Sequence, residues 1–238
     1  MFKNFNYKKG LLLFAVLLLP SILYITLTTG KHNFVHLPVY YPIGTKDTVV
    51  KGRKQTDTIY QTIPKFELID QTGKKFTDRD LFNKIYVANF YFTTCPGICK
   101  DMAAQMIRVQ EKFKSYEGFA IVSHSVDPTN DTLEAIQEYA RLNKADSKVW
   151  HLCTGNRDVI YKLGVDNYKL PAQEDAKAPG GFLHSEYMVL VDKDKRIRGY
   201  YDGTKTTEVN KLMEDIKVLL AEYQLELKKN KWIEKEKS

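Results

Sequence analysis

The sequence predicts an α/β sandwich built on a mixed sheet, and three observations carry that expectation. Two short apolar runs, Ile85 to Phe92 and Gly118 to Val126, read as buried strands. They alternate with stretches whose apolar residues recur at helical spacing, such as Met102, Met106, Val109 and Phe113. Two later strand-like runs, Ser185 to Val191 and Arg196 to Tyr201, are separated only by Asp192-Lys193-Asp194-Lys195 and suit a hairpin, and a long amphipathic stretch from about Thr207 to Leu227 follows. Strand and helix alternation that ends in a hairpin and a last helix argues for helices packed on a sheet of mixed direction.

Taken in order, residues 1–30 read as a cytoplasmic tip and a transmembrane anchor. Leu11 to Thr29 is almost wholly apolar, carries no charge and follows Lys3, Lys8 and Lys9, the arrangement of a single N-terminal span that starts in the cytoplasm. The run exceeds a signal-peptide core and no small-x-small site follows it, so the anchor is expected to stay uncleaved. Residues 31–61, rich in His, Pro, Tyr, Lys and Thr without periodicity, read as a linker in which His32 and His36 are solvated. The folded domain is expected over 62–227. It opens with Pro64 to Asp70, Gln71-Thr72-Gly73 and Lys74 to Thr77, a small N-terminal hairpin around a glycine turn, and a short helical turn at Asp78 to Leu81. After the strand Ile85 to Phe92 comes a helix over Cys99 to Phe113, then the strand Gly118 to Val126. Asp131 and Glu134 have capping-box spacing for a helix to about Leu142. A strand at Lys148 to Cys153, a short helix at Asn156 to Leu163 and a loop from Lys169 to Phe182 precede the hairpin. Residues 228–238 read as a charged tail. With two cysteines at the end of the first long buried strand, the arrangement is thioredoxin-like.

The formal charge of +7 is not a nucleic-acid signal once it is located: residues 1–10 and 228–238 contribute +3 each, leaving +1 between them. No nucleic-acid partner is expected. Three cysteines in 238 residues are too few for a disulfide scaffold, so the pair Cys95 and Cys99 points to chemistry.

That pair lies in Thr93-Thr94-Cys95-Pro96-Gly97-Ile98-Cys99, where the strand breaks and a helix begins. The N-terminal end of a helix favours anions and lowers a thiol's pKa, and cysteines four apart on one helical face can close as a disulfide or hold one soft ion. His184 follows Pro179-Gly180-Gly181, near where such a fold places the loop facing its dithiol. Two thiolates and an imidazole suit Cu(I) and can hold Cu(II) with a further ligand, while zinc is chemically open too. Asp127 reads as a turn residue before proline that could also approach the site, and Asp131 as a helix cap; Cys153, His124 and His151 read as packing residues.

Four stretches together carry a resemblance. They are Asn89-Phe-Tyr-Phe-Thr-Thr-Cys95-Pro-Gly-Ile-Cys99, Ser125-Val-Asp127-Pro-Thr-Asn-Asp131-Thr132, Trp150-His-Leu-Cys-Thr-Gly155 and Leu183-His184-Ser185 before a strand ending in Val191-Asp192. In order and spacing the chain resembles the Sco/SenC family of membrane-anchored, thioredoxin-like copper proteins from about Pro64 to Gly203. The resemblance implies copper, as Cu(I) and Cu(II), held by Cys95, Cys99 and His184. It also implies a role in building the dinuclear copper centre of cytochrome c oxidase, by delivering copper or by reducing the target's cysteines. The implied partners are the copper-receiving cysteines of an oxidase subunit or another copper chaperone. The family's common Cys-Pro-Asp-x-Cys-Pro is here Cys95-Pro96-Gly97-Ile98-Cys99-Lys100, which removes a carboxylate and places a lysine beside the site. The added positive charge is expected to favour thiolates.

Two functions compete. In one the chain is a metallochaperone, not an enzyme in the turnover sense. In the other it is a membrane-anchored thiol-disulfide reductase in which Cys95 attacks and Cys99 resolves, with no need of His184. A peroxiredoxin is disfavoured because Thr93-Thr94 abuts Cys95 without the Thr-x-x-Cys spacing. The short lysine-bearing start favours a bacterial inner membrane with the domain on its outer side.

Overall fold

The computed structural model describes Lys8, Phe14, Val16, residues 18–22, Tyr24 and residues 36–50, 53–175 and 182–235. The chain divides into two units, Met1–Val35 and His36–Ser238. In the first unit the described residues are helical. The anchor expected over Leu11 to Thr29 lies largely outside them, and among the described residues no helix is long and apolar enough to cross a membrane.

The second unit runs β1 (Pro42–Val50), β2 (Arg53–Tyr60), β3 (Glu67–Asp70), β4 (Lys75–Thr77), β5 (Ile85–Tyr91), α1 (Cys99–Phe113), β6 (Phe119–Ser125), α2 (Leu133–Leu142), β7 (Trp150–Thr154) and α3 (Arg157–Lys162). A π-helical turn, Leu163–Tyr168, extends α3, and β8 (Ala172–Glu174), β9 (Phe182–His184), β10 (Tyr187–Val191), β11 (Ile197–Asp202) and α4 (Thr206–Lys235) complete it.

Seven strands form one sheet in the order β11-β10-β5-β6-β7-β3-β4. The pairs β5–β6 and β6–β7 are parallel and the others antiparallel, so the sheet is mixed as expected. β5 and β6 are central, and every residue of each is buried. Burial on both faces explains why they read as continuous apolar runs and not as alternating ones. One core forms where Ile85, Val87, Tyr91 and Ile121 of the sheet meet Met102, Met106 and Val109 of α1, Ile136 of α2 and Leu212, Ile216 and Leu219 of α4. The opposite face buries Ala88, Phe90, Val122 and Cys153 under Phe66, Phe76, Ile160, Leu163 and Tyr168. The hairpin β3–β4 turns at Gly73, whose φ of +76° lies where a side chain is strained.

The structure departs from expectation in three places. Within the stretch read as a linker without periodicity, β1 and β2 pair as an antiparallel ribbon from Pro42↔Tyr60 to Val50↔Arg53. Thr45, Thr48, Val49, Thr56, Thr58 and Ile59 supply strand propensity, but with no face on a core the ribbon lacks the alternation that would announce it. His36 is exposed, as expected, with its Nδ1 3.3 Å from Glu222 Oε1; His32 lies outside the described residues. The loop expected from Lys169 contains β8, which pairs with β9. Finally, α4 continues to Lys235, through most of the segment read as a tail.

Candidate dithiol metal centre

β5 delivers the chain to the site. Tyr91 and Phe92 are buried, the Cys95 N–H donates to Phe92 O at 3.3 Å, and α1 starts at Cys99 with Ile98 at its N-cap and no side-chain cap. Cys95 is half-buried and touches both cores. Cys99 is buried against Met102 and Ala103. The two thiols share a hydrogen bond, and the Phe92 backbone makes another with the Cys99 sulfur. The two thiols are therefore neighbours, as a shared ion or a disulfide requires.

The expected thiolate character does not hold for Cys99. Burial pushes its thiol well up, and the Phe92 backbone hydrogen bond, which acts in the opposite sense, does not offset it. A helix N-terminus stabilises an anion by about 0.3–1 kcal/mol, which is too little to reverse the desolvation of a thiol packed into a core. The arrangement thus pairs an accessible sulfur with a sheltered one.

Asp131 is not the helix cap. Thr132 caps α2, its hydroxyl accepting from Ala135 N, while buried Asp131 turns toward the dithiol loop. Its Oδ1 accepts from Thr93 N at 3.0 Å and Thr93 Oγ1 at 2.6 Å, and Ser125 Oγ donates to its Oδ2. Thr93 lies two residues before Cys95, so Asp131 ties the approach to the dithiol to the end of β6. Burial raises this carboxyl's pKa against the pull of those hydrogen bonds. Asp127 is engaged in its own turn, where it accepts from Asn130 N at 3.3 Å and Asn130 Nδ2 at 2.9 Å.

Tyr139 of α2 was not anticipated. Burial above all pushes its phenol up, it lines one small cavity with Cys99 and Met102, and its ring lies 5.0 Å from that of Tyr91. Its position three residues after buried Ile136, on the inward face of α2, is the signal that would have found it.

Cys153 and His124 are core residues, as the sequence indicates, and they are direct cross-strand neighbours. His151 stacks on Phe76 at 4.4 Å, with Nδ1 3.4 Å from Asp70 Oδ2. The main chain of His184 ends β9, paired with Ala172 of β8. Its side chain and residues 176–181, with Pro179-Gly180-Gly181, lie outside the described residues. Among the described residues no three His, Cys, Asp or Glu side chains converge as a metal site.

A mixed sheet with helices on its face, bearing an accessible and a sheltered thiol where its central strand meets a helix, defines a thioredoxin-like dithiol protein. Comparison with known proteins narrows this. The family model described as SCO1/SenC matches residues 54–221. The SCO1 protein homolog of Bacillus subtilis (strain 168) is 27% identical over 172 residues, 70% of this chain and 86% of its own. The crystal structure of a SCO1/SenC family lipoprotein from Bacillus anthracis str. Ames has a TM-score of 0.61 at 30% identity, over 67% of this chain and 95% of that one. Arabidopsis thaliana ScoI, solved with copper bound, has a TM-score of 0.55 at 26% identity, over 67% of this chain and 98% of that one. This chain belongs to the SCO1/SenC family.

Proposed function

We propose that this chain is a membrane-anchored copper-binding assembly factor that delivers copper to the dinuclear copper site of cytochrome c oxidase, or prepares that site's cysteines. The observation that carries the reading is the hydrogen-bonded pair of Cys95, half-buried, and Cys99, buried, at the end of β5. Two neighbouring sulfurs are a soft donor set suited to Cu(I). Cys95 meets the ion first, Cys99 closes on it from the core, and both give up their protons as they bind. His184 supplies the third ligand, which Cu(II) requires. The ion then passes to a partner's cysteines by exchange of one thiolate for another.

The same asymmetry supports thiol reduction as a second reading. The Cys95 thiolate attacks a client disulfide, one client thiolate leaves, and Cys99 displaces the other as Cys95–Cys99 forms, so two electrons pass from the dithiol to the client.

The anchor over residues 11–29 and the inner-membrane location are part of the proposal. Lys3, Lys8 and Lys9 before the apolar run support them, as do exposed Phe14, Val16, Leu19 and Ile22 in the helical stretch.

Copper titration of the reduced full chain in detergent separates the readings. About one copper ion per chain is expected to bind, with Cys95→Ser losing both oxidation states and His184→Ala losing Cu(II) while retaining Cu(I). Copper binding indifferent to Cys95, Cys99 and His184 would remove the copper reading and leave sulfur redox chemistry.

A further inference from the structure

Gly164 lies in the π-helical turn after α3, and it is space that makes glycine necessary there. A Cβ at this position would stand 2.4 Å from Ala172 Cβ and 3.2 Å from Phe90 Cζ. Ala172 is buried, opens β8, and lies directly across from His184 in the β8–β9 register. Just before β8, the Leu170 N–H donates to Gly164 O at 2.9 Å, so the chain folds back onto the turn that precedes it. The turn is itself held from outside. Tyr200 Oη donates to Tyr168 O at 2.9 Å, Gln61 Nε2 donates to Asp166 O at 3.0 Å, and left-handed Lys169, φ +58°, ends it.

We infer that Gly164 is a positioning residue for the His184 end of the copper site, an inference that rests on the reading of His184 as a ligand. Antiparallel neighbours share backbone hydrogen bonds and move together. How deeply β8 seats against the turn therefore fixes where the main chain of His184 stands. A methyl group at position 164 must push Ala172 back by roughly 1 Å to reach an ordinary carbon–carbon contact. Phe90 is buried in the central strand and cannot give way, whereas β8 belongs to a separate two-stranded ribbon. Metal–ligand distances lie within about 0.2 Å of their preferred values, so a displacement of β9 lowers the contribution of His184 while the two sulfurs keep theirs. Cu(II), which needs the imidazole, feels the change; Cu(I), which two thiolates satisfy, does not.

The test titrates the reduced full chain in detergent with Cu(I) and Cu(II) separately. It compares wild type, Gly164→Ala, Ala172→Gly, the double variant Gly164→Ala/Ala172→Gly, and His184→Ala. Gly164→Ala is expected to lower Cu(II) affinity by about 10–100-fold, the loss typical of disturbing a ligand's support, and to shift the sulfur-to-Cu(II) absorption band. Its Cu(I) affinity and the Cys95–Cys99 midpoint potential are expected to match wild type. The double variant moves the methyl to the other side of the same contact and is expected to recover most of the Cu(II) affinity. Ala172→Gly alone loosens the seat and is expected to weaken Cu(II) severalfold, a result that stands even where Gly164→Ala does not fold. If His184→Ala leaves Cu(II) binding unchanged, the ligand reading falls and this inference with it. If His184→Ala loses Cu(II) while Gly164→Ala and Ala172→Gly bind like wild type, or Gly164→Ala loses both oxidation states without rescue, only the positioning role is overturned.

Discussion

Acid is expected to destabilise this protein through His124, a residue the copper chemistry does not use. The imidazole sits on β6, opposite Phe90 on one neighbouring strand and Cys153 on the other. The rings of Phe90, Tyr168 and Phe66 stand 5.2, 5.5 and 6.0 Å away, and neither ring nitrogen has a hydrogen-bond partner among the described residues. Burial alone lowers its pKa from 6.5 to about 3. The folded value lies below the unfolded one, so unfolding takes up a proton as the pH falls below 6.5. Stability is therefore intact above that pH and erodes down to about pH 3. At pH 5 the loss is about 2 kcal/mol, from 1.36 kcal/mol for each pH unit below 6.5. For a domain of this size that lowers the melting temperature by about 4–8 °C. The assay is urea unfolding of wild type and His124→Leu at pH 7.5 and pH 5. Leucine fills similar space without a nitrogen to desolvate, so its stability at pH 7.5 is expected to match or exceed wild type, and the 2 kcal/mol difference in acid sensitivity isolates His124. His151, whose pKa burial also lowers, is present in both proteins and cancels. Equal loss of stability by the two between pH 7.5 and pH 5 would refute the reasoning.

Asp131→Ala is expected to cost about 3 kcal/mol, since it strands the Thr93 and Ser125 donors beneath the dithiol loop. Thr93→Val, which removes one donor and keeps the acceptor's other bonds, should cost about 1 kcal/mol in the same unfolding assay. Arg198→Ala is expected to cost about 3–5 kcal/mol, because Arg198 is 5% exposed and bonds to buried Asp192 at 3.1 Å and to Glu222 at 3.0 Å. Replacing Glu222 by Gln in that background should return part of the loss, and no recovery would mean that the two side chains act independently.

What the sequence disclosed depended on how far apart in the chain the interacting groups lie. The dithiol was legible because Cys95 and Cys99 share one turn at a strand's end, and β5 was legible because burial on both faces leaves no polar residue to interrupt it before Asn89. Asp131 was misread for a physical reason. Asp and Thr at adjacent positions are both competent caps, and which one turns to the helix is decided by Thr93, 38 residues upstream. The pairing of Ala172 with His184 has no local signature either, for three residues on each side are too few to show an alternation.

Arg198 shows the same limit most sharply. Arg196 and Arg198 are two apart, near and on the same edge strand, and both reach Asp192 Oδ2, at 2.9 and 3.1 Å. Nothing local separates them, yet the side chain of Arg196 is 30% exposed and that of Arg198 5%. The difference is what covers the edge of β11. Arg198 donates to Leu37 O at 2.8 Å and Pro38 O at 3.1 Å, and Glu222 Oε1 accepts from Leu37 N at 3.1 Å. The guanidinium thus fastens the segment that enters the domain to the strand and to α4 at once. A charge becomes structural here because main-chain carbonyls about 160 residues away in sequence come to solvate it. Removing Arg198 is therefore expected to loosen the entry of the chain into the domain as well as the salt-bridge network, and amide exchange at Leu37 and Tyr40, whose N–H groups donate to Glu222 and Ile197, would report it.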